Sequence, residues 1–280
     1  MLLLRRGLIS GRTTRGFASR RASKQVAVVS TASRGLGLEF AKQLLDRNFH
    51  CILLVRSDAV PRVVQDLCSA YRSHCQVVGG LDLTNQESIE NVCAQVGQLL
   101  QAEQQIRLLL NVAGVLRGPP GSPERSIKDI SRSWLEKSLN VNFVGHCMVT
   151  QSLLPYLYQT TPDSSNGSSE YNCVCNISAR VGSIGDNNLG GWYSYRTSKA
   201  ALNMLTKTLA LEVKRRGVTV LSLHPGTVDT DLSKPFQKNV KKNQLQTPQE
   251  AVQKMLEVIL GMKKEDTGGF FAYDGNRIEW

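Results

Sequence analysis

A regular alternation of short apolar runs with longer segments of helical periodicity constrains this chain more than any other feature. The apolar runs lie at residues 26–30, 51–55, 76–79, 106–111, 173–177, 218–223 and 269–273. Strands that are apolar throughout belong to a parallel sheet whose two faces are covered by the connecting helices. The pattern therefore predicts an α/β fold, a doubly wound parallel sheet of about seven strands with helices on both faces.

Sequence signals also mark where the intervening helices begin. Capping-box patterns predict helix starts at 84–87 and 247–250, and Pro61 is placed to open another helix. Longer helices are predicted over 131–158 and from Tyr195 to Arg216. The Ser-, Asn- and Gly-rich stretch 160–171 predicts a mobile surface loop.

Length and composition favour one large domain over two small ones. The chain has 280 residues with 41% hydrophobic content, enough to bury one sizeable core. No apolar run approaches the roughly 18 residues of a membrane span. The seven cysteines show no spacing typical of a metal or redox site, and reduced cysteines suit a matrix or cytosolic protein. We expect a soluble domain over residues 25–280.

The first 24 residues have a separate composition. They carry seven of the basic residues behind the net charge of +11, and the first acidic residue is Glu39. An Arg-rich, Ser- and Thr-containing start without acids predicts a mitochondrial transit peptide over residues 1–24. The alternatives are a plastid transit peptide or a disordered basic tail that binds nucleic acid. The expected location is the mitochondrial matrix, with the cytoplasm and a plastid as alternatives.

Tyr195 and Lys199 form the clearest chemical pair. Four residues apart on a predicted helix, their side chains lie on one face, one turn apart. A phenol with a pKa of about 10 exchanges protons poorly at neutral pH unless a nearby cation stabilises the phenolate. Lys199 is placed to supply that charge.

A glycine-containing turn follows the first apolar run. It reads Ser30-Thr31-Ala32-Ser33-Arg34-Gly35-Leu36-Gly37. In a doubly wound sheet this turn is where a dinucleotide pyrophosphate binds, on helix amides approached through residues without a Cβ. The turn predicts a Rossmann-type dinucleotide site.

Further segments follow in a fixed order along the predicted elements. They are Asp82-Leu83 after the third run, Asn111-Val112-Ala113-Gly114 after the fourth, Asn142 in the long helix and Pro225-Gly226-Thr227-Val228-Asp229-Thr230 after the sixth. Together with the glycine turn and the Tyr195–Lys199 pair, they resemble the short-chain dehydrogenase/reductase family from about residue 26 to the C-terminus. The segments 193–203 and 268–280 are similar to the C-factor and sniffer-type carbonyl reductases of that family.

The resemblance implies an oxidoreductase with a nicotinamide cofactor and a small-molecule carbonyl or alcohol substrate. Tyr195 would be the general acid or base, Lys199 would hold the nicotinamide ribose, and Asn142 would hold a water linked to that lysine. Asp82 and Leu83 would contact adenine, and the segment containing Pro225, Gly226, Val228 and Thr230 the nicotinamide carboxamide. The cofactor would also meet Asn111, Ala113 and Gly114. A homodimer or homotetramer and no nucleic-acid partner are expected from the same resemblance.

The end of the second strand decides between NAD(H) and NADP(H). An NAD enzyme places an acid there, but this chain has Val55 followed by Arg56, and Arg34 stands in the glycine turn. Two guanidinium groups without a carboxylate favour the 2′-phosphate of NADP(H). The cofactor prediction is NADP(H).

One catalytic position departs from the family pattern. The family carries a serine after strand five, but alignment on Gly182 puts Ala179 in its place. Ser178 and Ser183 are the candidate replacements, and we take Ser178 as the catalytic serine while Ser183, or no serine, stays an alternative. A one-residue slip in a strand reverses the face on which a side chain lies.

Thr31 is the second departure, because the family has glycine there. A β-branched residue is expected to adopt a negative φ, which would move the turn outward and weaken the dinucleotide.

The sequence thus predicts NADPH-dependent reduction of a carbonyl, or the reverse alcohol oxidation. A non-catalytic scaffold on the same fold, which senses a dinucleotide or accompanies RNA in an organelle, is the alternative. Thr31, Ala179 and the basic N-terminus favour the alternative, whereas the presence of Tyr195, Lys199 and Asn142 together favours the enzyme.

Overall fold

Strands and helices alternate along the part of the chain that the structure describes. The computed structural model describes residues 25–101, 104–118, 121–158, 171–240 and 244–280. The predicted transit peptide at 1–24 and nearly all of the predicted loop at 160–171 lie outside these residues. Within the described ranges, none of the helices has the length and apolar character that a membrane crossing requires.

The strands form one seven-stranded parallel sheet and one small two-stranded sheet. The strands are β1 Val26–Ser30, β2 His50–Leu54, β3 Cys75–Val78, β4 Ile106–Asn111, β5 Asn172–Ile177, β6 Val218–His224, β7 Thr227–Val228, β8 Leu245–Gln246 and β9 Gly269–Ala272. In the large sheet the order is β3-β2-β1-β4-β5-β6-β9. The doubly wound sheet of seven parallel strands is therefore confirmed.

The helices cover both faces of that sheet. They are α1 Gly35–Asp46, α2 Arg62–Tyr71, α3 Gln86–Leu99, α4 Arg132–Leu139, α5 Gly145–Leu153, α6 Tyr193–Val213 and α7 Pro248–Leu260. Side chains of β1 show how the two faces are filled. Val26 and Val28 pack in one apolar layer, and Ala27 and Val29 in the other. Each fully buried Val or Leu contributes about 1.5–3 kcal/mol to folding.

Two helix predictions need correction. The helix predicted over 131–158 is broken at Asn140–Val144, where one π-helical turn separates α4 from α5. Such turns leave the regular hydrogen-bond ladder and recur at functional sites. The predicted capping box at 84–87 is wrong, since Asn85 caps α3 by accepting from the Ser88 amide, and the Thr84 hydroxyl donates to Asp82. The capping box at Thr247 is confirmed.

The conformation expected for Thr31 is also wrong. Its φ is +59°, in the left-handed region, so the turn keeps the conformation of a glycine although it carries a threonine. The Thr31 hydroxyl donates to the Ser30 carbonyl oxygen at 2.6 Å, which satisfies the side chain locally. The turn has therefore not moved outward to give Thr31 a negative φ. It keeps the tight shape at the cost of backbone strain.

Thr31→Gly should raise the free energy of unfolding by up to about 1.5 kcal/mol. Glycine removes a left-handed backbone strain of about 1–2 kcal/mol. It also costs about 0.5–1 kcal/mol, because glycine gives the unfolded chain more conformational entropy to lose on folding. Urea unfolding measures the difference. Ser33→Gly is the control in the same turn, because Ser33 has no positive φ. A Thr31→Gly protein no more stable than the Ser33→Gly protein would contradict the strain.

Candidate active site

The site lies at the edge of the large sheet where the carboxyl ends of β1, β4, β5 and β6 meet. The chain leaves β3 at one edge of the sheet and returns next to β1 as β4, so the strand order reverses between β1 and β4. Ligands of doubly wound sheets bind in the crevice at such a switch point. The segments that follow these four strands carry most of the residues predicted from the sequence.

The turn after β1 has the features of a pyrophosphate site. Helix α1 begins at Gly35, and the Arg34 side chain before it does not cap the helix. The first backbone amides of α1 therefore receive no hydrogen bond acceptor from that side chain. No acidic residue stands in the first turn of α1. A Cβ at Gly37 would collide with the Thr31 carbonyl oxygen, which explains the glycine. Free amides at the positive end of a helix fit the phosphates of a dinucleotide.

The segment after β6 faces this turn. A Cβ added at Gly35 would lie 3.8 Å from the Thr230 Cγ2, so the two predicted cofactor segments are neighbours. Gly226 has a φ of +75°, and the side-chain Nε2 of Gln246 donates to the Pro225 carbonyl oxygen at 3.3 Å. Val228 is buried. The structure thus brings the predicted phosphate and carboxamide segments together.

The predicted adenosine end carries mixed charge. Arg34 and Arg56 are both exposed, and Leu83 is buried. The carboxylate of Asp82 accepts from the amide and hydroxyl of Thr84, which lowers its pKa, and Arg56 lowers it further. Arg56 and Asp82 therefore interact at the ends of neighbouring strands.

Lys199 is a buried cation next to a buried phenol. Lys199 is 2% exposed and Tyr195 8% exposed, and the Lys199 Nζ lies 5.8 Å from the Tyr195 ring centroid. The ammonium donates to the Ile177 carbonyl oxygen at 2.8 Å, at the end of β5. Burial lowers the pKa of Lys199 to about 7 and raises the pKa of Tyr195. A phenolate beside this lysine would hold the lysine in its protonated form.

Gly114 lies next to the Lys199 ammonium and the Asn142 side chain. A Cβ at Gly114 would lie 3.9 Å from the Lys199 Nζ and 3.8 Å from the Asn142 Oδ1. Asn142, in the π-helical turn, uses its side chain to hold the loop after β4. It accepts from the Val115 amide at 2.7 Å and donates to the Val115 carbonyl oxygen at 2.9 Å. The water-holding role that the resemblance implies for Asn142 stays a prediction.

Two predicted cofactor residues are engaged within the sheet. The Asn111 side chain donates to the Thr150 hydroxyl at 2.9 Å and to the Asn176 Oδ1 at 2.8 Å, both buried contacts. The Ser30 hydroxyl accepts from the Val112 amide at 3.1 Å. Their side chains join neighbouring strands under the site. Any contact of these two residues with the cofactor is therefore expected mainly from their backbone groups. Ala113, directly after, is buried.

The serine predicted to polarise the carbonyl is occupied elsewhere. The Ser178 hydroxyl donates to the Asn203 Oδ1 at 2.7 Å, and the Ser183 hydroxyl accepts from the Asp186 amide at 2.9 Å. Ala179, and not Ser178, belongs to the buried apolar cluster that contains Tyr195. The backbone is still extended at residue 179, so neighbouring side chains alternate in direction. The structure therefore does not support the assignment of Ser178 as the carbonyl partner.

Sequence reasoning missed an apolar wall around the phenol. Tyr195 packs in a cluster with Leu116, Ala179, Val181, Trp192 and Phe236. The Trp192 ring lies edge-on to Tyr195, 6.3 Å between centroids, and 5.1 Å from Phe236. Trp192, three residues before Tyr195, was a signal that could have been found. Phe236 comes from a segment without a recognisable motif.

Comparison with known proteins identifies the family. The model of the short chain dehydrogenases matches residues 25–241. The chain belongs to the short-chain dehydrogenase family. Among the relatives of this dehydrogenase is the C-signal protein of Myxococcus xanthus, 32% identical over 155 residues, which is 55% of this chain and 84% of that protein.

Two solved structures are similar over nearly the whole dehydrogenase. The NADPH-bound carbonyl reductase from chicken fatty liver has a TM-score of 0.79 at 28% identity and covers 92% of this chain and 94% of its own. The carbonyl reductase Sniffer of D. melanogaster has a TM-score of 0.78 at 26% identity, with 92% and 99% covered. The resemblance read from residues 193–203 and 268–280 is confirmed by these relatives, and the protein is an oxidoreductase by family.

Lys199→Met should stabilise this dehydrogenase at pH 7 by roughly 2–4 kcal/mol, because the pKa shift is worth about 5 kcal/mol and the loss of the donor to the Ile177 carbonyl oxygen costs about 1–3 kcal/mol. The pKa of Lys199 is lowered from 10.5 to about 7 on folding. Between those pH values the unfolded chain binds more protons, so the stability of the native sequence rises with pH over that window. The advantage of the methionine variant should therefore shrink between pH 7 and pH 10.

Thermal unfolding at both pH values checks this difference. Lys207→Met is the matched control, because Lys207 is exposed on the same helix. A methionine variant at position 199 that is less stable at pH 7, or whose advantage does not change with pH, would contradict the lowered pKa.

Proposed function

We propose that this short-chain dehydrogenase reduces carbonyl compounds with NADPH and catalyses the reverse alcohol oxidation. The observation that carries the proposal is the buried Tyr195–Lys199 pair behind Gly114, at the sheet edge where the uncapped turn after β1 fits a dinucleotide. A buried cation that only supported the fold would be costly, whereas proton transfer at neutral pH requires one near the phenol.

Tyr195, Lys199 and Asn142 have different roles in the proposed reaction. Tyr195 donates its phenolic proton to the carbonyl oxygen, and Lys199 stabilises the phenolate that remains. Bound NADPH would supply the hydride. The apolar cluster around Tyr195 excludes water, which strengthens the effect of the lysine charge on the phenol. Asn142 holds the loop whose Leu116 belongs to that cluster.

The hydrogen bond to the substrate oxygen is assigned to Tyr195. The Ser178 hydroxyl would have to leave Asn203 before it could contribute, and the residue beside the phenol, Ala179, has no hydroxyl. The phenol then polarises the carbonyl and protonates it in the same contact. This arrangement places more of the catalysis on one residue than a pair of hydroxyl groups would.

Tyr195→Phe should therefore lower kcat by at least about a thousandfold, near the upper range for general acid–base catalysis. The measurement is NADPH absorbance with a panel of aldehydes and ketones. Tyr193→Phe, two residues earlier and half-buried, is the matched control and should retain activity. NADPH binding without turnover of any carbonyl or alcohol by the native protein would instead favour the non-catalytic dinucleotide sensor.

The preference for NADPH is proposed from Arg34 and Arg56. Both guanidinium groups are exposed near the carboxyl ends of β1 and β2, where the adenosine ribose of a dinucleotide would lie. The NADPH named in the chicken carbonyl reductase structure supports the proposal by similarity. The Asp82 carboxylate accepts hydrogen bonds from Thr84, so it competes less with a cofactor phosphate for Arg56.

Arg56→Asp should reverse the cofactor preference. Loss of one charge-assisted hydrogen bond costs about 1.5–3 kcal/mol, or about one to two decades in the Kd for NADPH. Calorimetric titration with NADPH and NADH measures both affinities. Arg62→Asp, an exposed arginine of α2 that changes the net charge equally, should leave the preference intact. Equal binding of the two cofactors by the native protein would remove the NADPH assignment.

A further inference from the structure

Glu124 is a buried carboxylate that the proposed chemistry does not use. It lies in the connection between β4 and α4 and is 5% exposed. A carboxylate withdrawn from water is unfavourable unless hydrogen bonds or opposite charge replace the water. Among the described residues it forms no ion pair with a lysine, arginine or histidine. Its stabilisation must therefore come from other groups.

Those groups belong to the first turn of α6. One Glu124 carboxylate oxygen accepts from the Ser194 hydroxyl in a short contact, and the other accepts from the Ser194 amide at 3.4 Å. The Glu124 carbonyl oxygen accepts from the Trp192 amide at 2.6 Å. The residue at the N-cap position of α6, Trp192, has a φ of +55° and no side-chain cap of its own.

The Glu124 carboxylate thus caps the N-terminus of α6 from a loop that is distant in sequence, because the N-cap residue of α6 provides no side-chain cap. A negative charge at a helix N-terminus is stabilised by the free amides and by the helix dipole. Helix α6 has 21 residues and carries Tyr195 and Lys199 in its first two turns. Tyr195 directly follows the serine that Glu124 holds. A shift at this anchor would move the phenol.

The same connection is fixed at a second point on the other side of the phenol. Asn142 holds Val115 through both backbone groups, and Leu116, the next residue, packs against Tyr195. The two anchors are themselves linked, because the Ser138 hydroxyl donates to the Ser194 carbonyl oxygen and accepts from the side-chain Nδ2 of Asn142. The anchors at Val115 and Glu124 therefore lie on either side of Leu116 in the chain.

We propose that Glu124 is a positioning residue of the active site, which caps α6 and fixes the phenol of Tyr195 against the Leu116 wall. The inference rests on the proposed reduction for its effect on turnover. The structural part, the anchoring of two segments by one carboxylate, stands on the contacts alone. The two parts are therefore tested by different measurements.

The structural part is tested by hydrogen exchange on the full chain. Glu124→Ala should speed amide exchange in residues 121–131 and 190–196 together, and Glu124→Gln should do so less, since the side-chain amide keeps the volume and one acceptor. Glu136→Gln, an exposed carboxylate paired with Arg132 on α4, is the control and should change neither segment. Unchanged exchange in both segments of the alanine variant overturns the proposal.

The catalytic part is tested by steady-state kinetics with NADPH and 4-nitrobenzaldehyde as the probe. Glu124→Ala should lower kcat by about tenfold or more, with a smaller loss for glutamine, because a displaced acid group slows transfer. The KM for NADPH should stay within about twofold, since the residue lies away from the turn that would bind the phosphates.

If both variants keep the kcat of the native protein, the positioning role is overturned. It is also overturned if kcat falls only in proportion to losses of NADPH affinity and thermal stability. If the native protein does not turn over the probe while exchange still rises in both segments, the failure lies with the proposed reduction and not with the anchor.

Discussion

The ammonium of Lys199 is held at the end of β5 by one backbone carbonyl, and the rest of the site is arranged around this buried charge. The Ile177 carbonyl oxygen is available because β5 ends there, and the lysine reaches it from α6. Burial lowers the pKa of Lys199 to about 7. A charge this costly persists because the surrounding fold fixes its position, not because it stabilises the fold.

A chain of buried polar side chains joins the sheet to the helix that carries this charge. Asn111 of β4 donates to Asn176 of β5, Asn176 donates to Thr206 of α6, and Thr206 bonds to Ser222 of β6. Each of these side chains makes at least one buried hydrogen bond, although the Asn111 Oδ1 is left without a partner. Three strands and α6 are thereby held in one register beneath Lys199. The apolar layers supply the stability, and this chain of polar contacts sets the position of the helix.

The fold was predictable because its signals are local and repeated. Seven apolar runs and the helices between them specify a parallel sheet, and the spacing of Tyr195 and Lys199 places both on one helix face. What the sequence could not provide is the partner of each polar side chain. Ser178 and Ala179 are adjacent, and their side chains lie on opposite faces as long as the backbone after β5 stays extended. Which of the two lies beside the Tyr195 phenol therefore depends on where the extended backbone ends. Glu124 is 70 residues from Ser194, and no local pattern predicts that contact.

Thr31 shows a different limit. Propensity predicts a negative φ for a β-branched residue, but the surrounding turn fixes the conformation: the Ala32 amide bonds to the Leu54 carbonyl oxygen and Gly37 packs against Thr31. Tertiary contacts thus override the local preference at the cost of strain. The apolar cluster around Tyr195 shows the same limit, because Leu116 and Phe236 reach it from separate segments that carry no recognisable motif.

The most direct test of this account is the titration of Lys199 itself. Lysines labelled with ¹³C at Cε and ¹⁵N at Nζ can be followed by NMR as the pH is raised, and the Lys199 signal is assigned by its loss in a Lys199→Met protein. A midpoint near pH 7 in the free protein is the predicted result. A midpoint near the ordinary lysine pKa of about 10.4 would show that the charge is not buried as described, and would contradict the account.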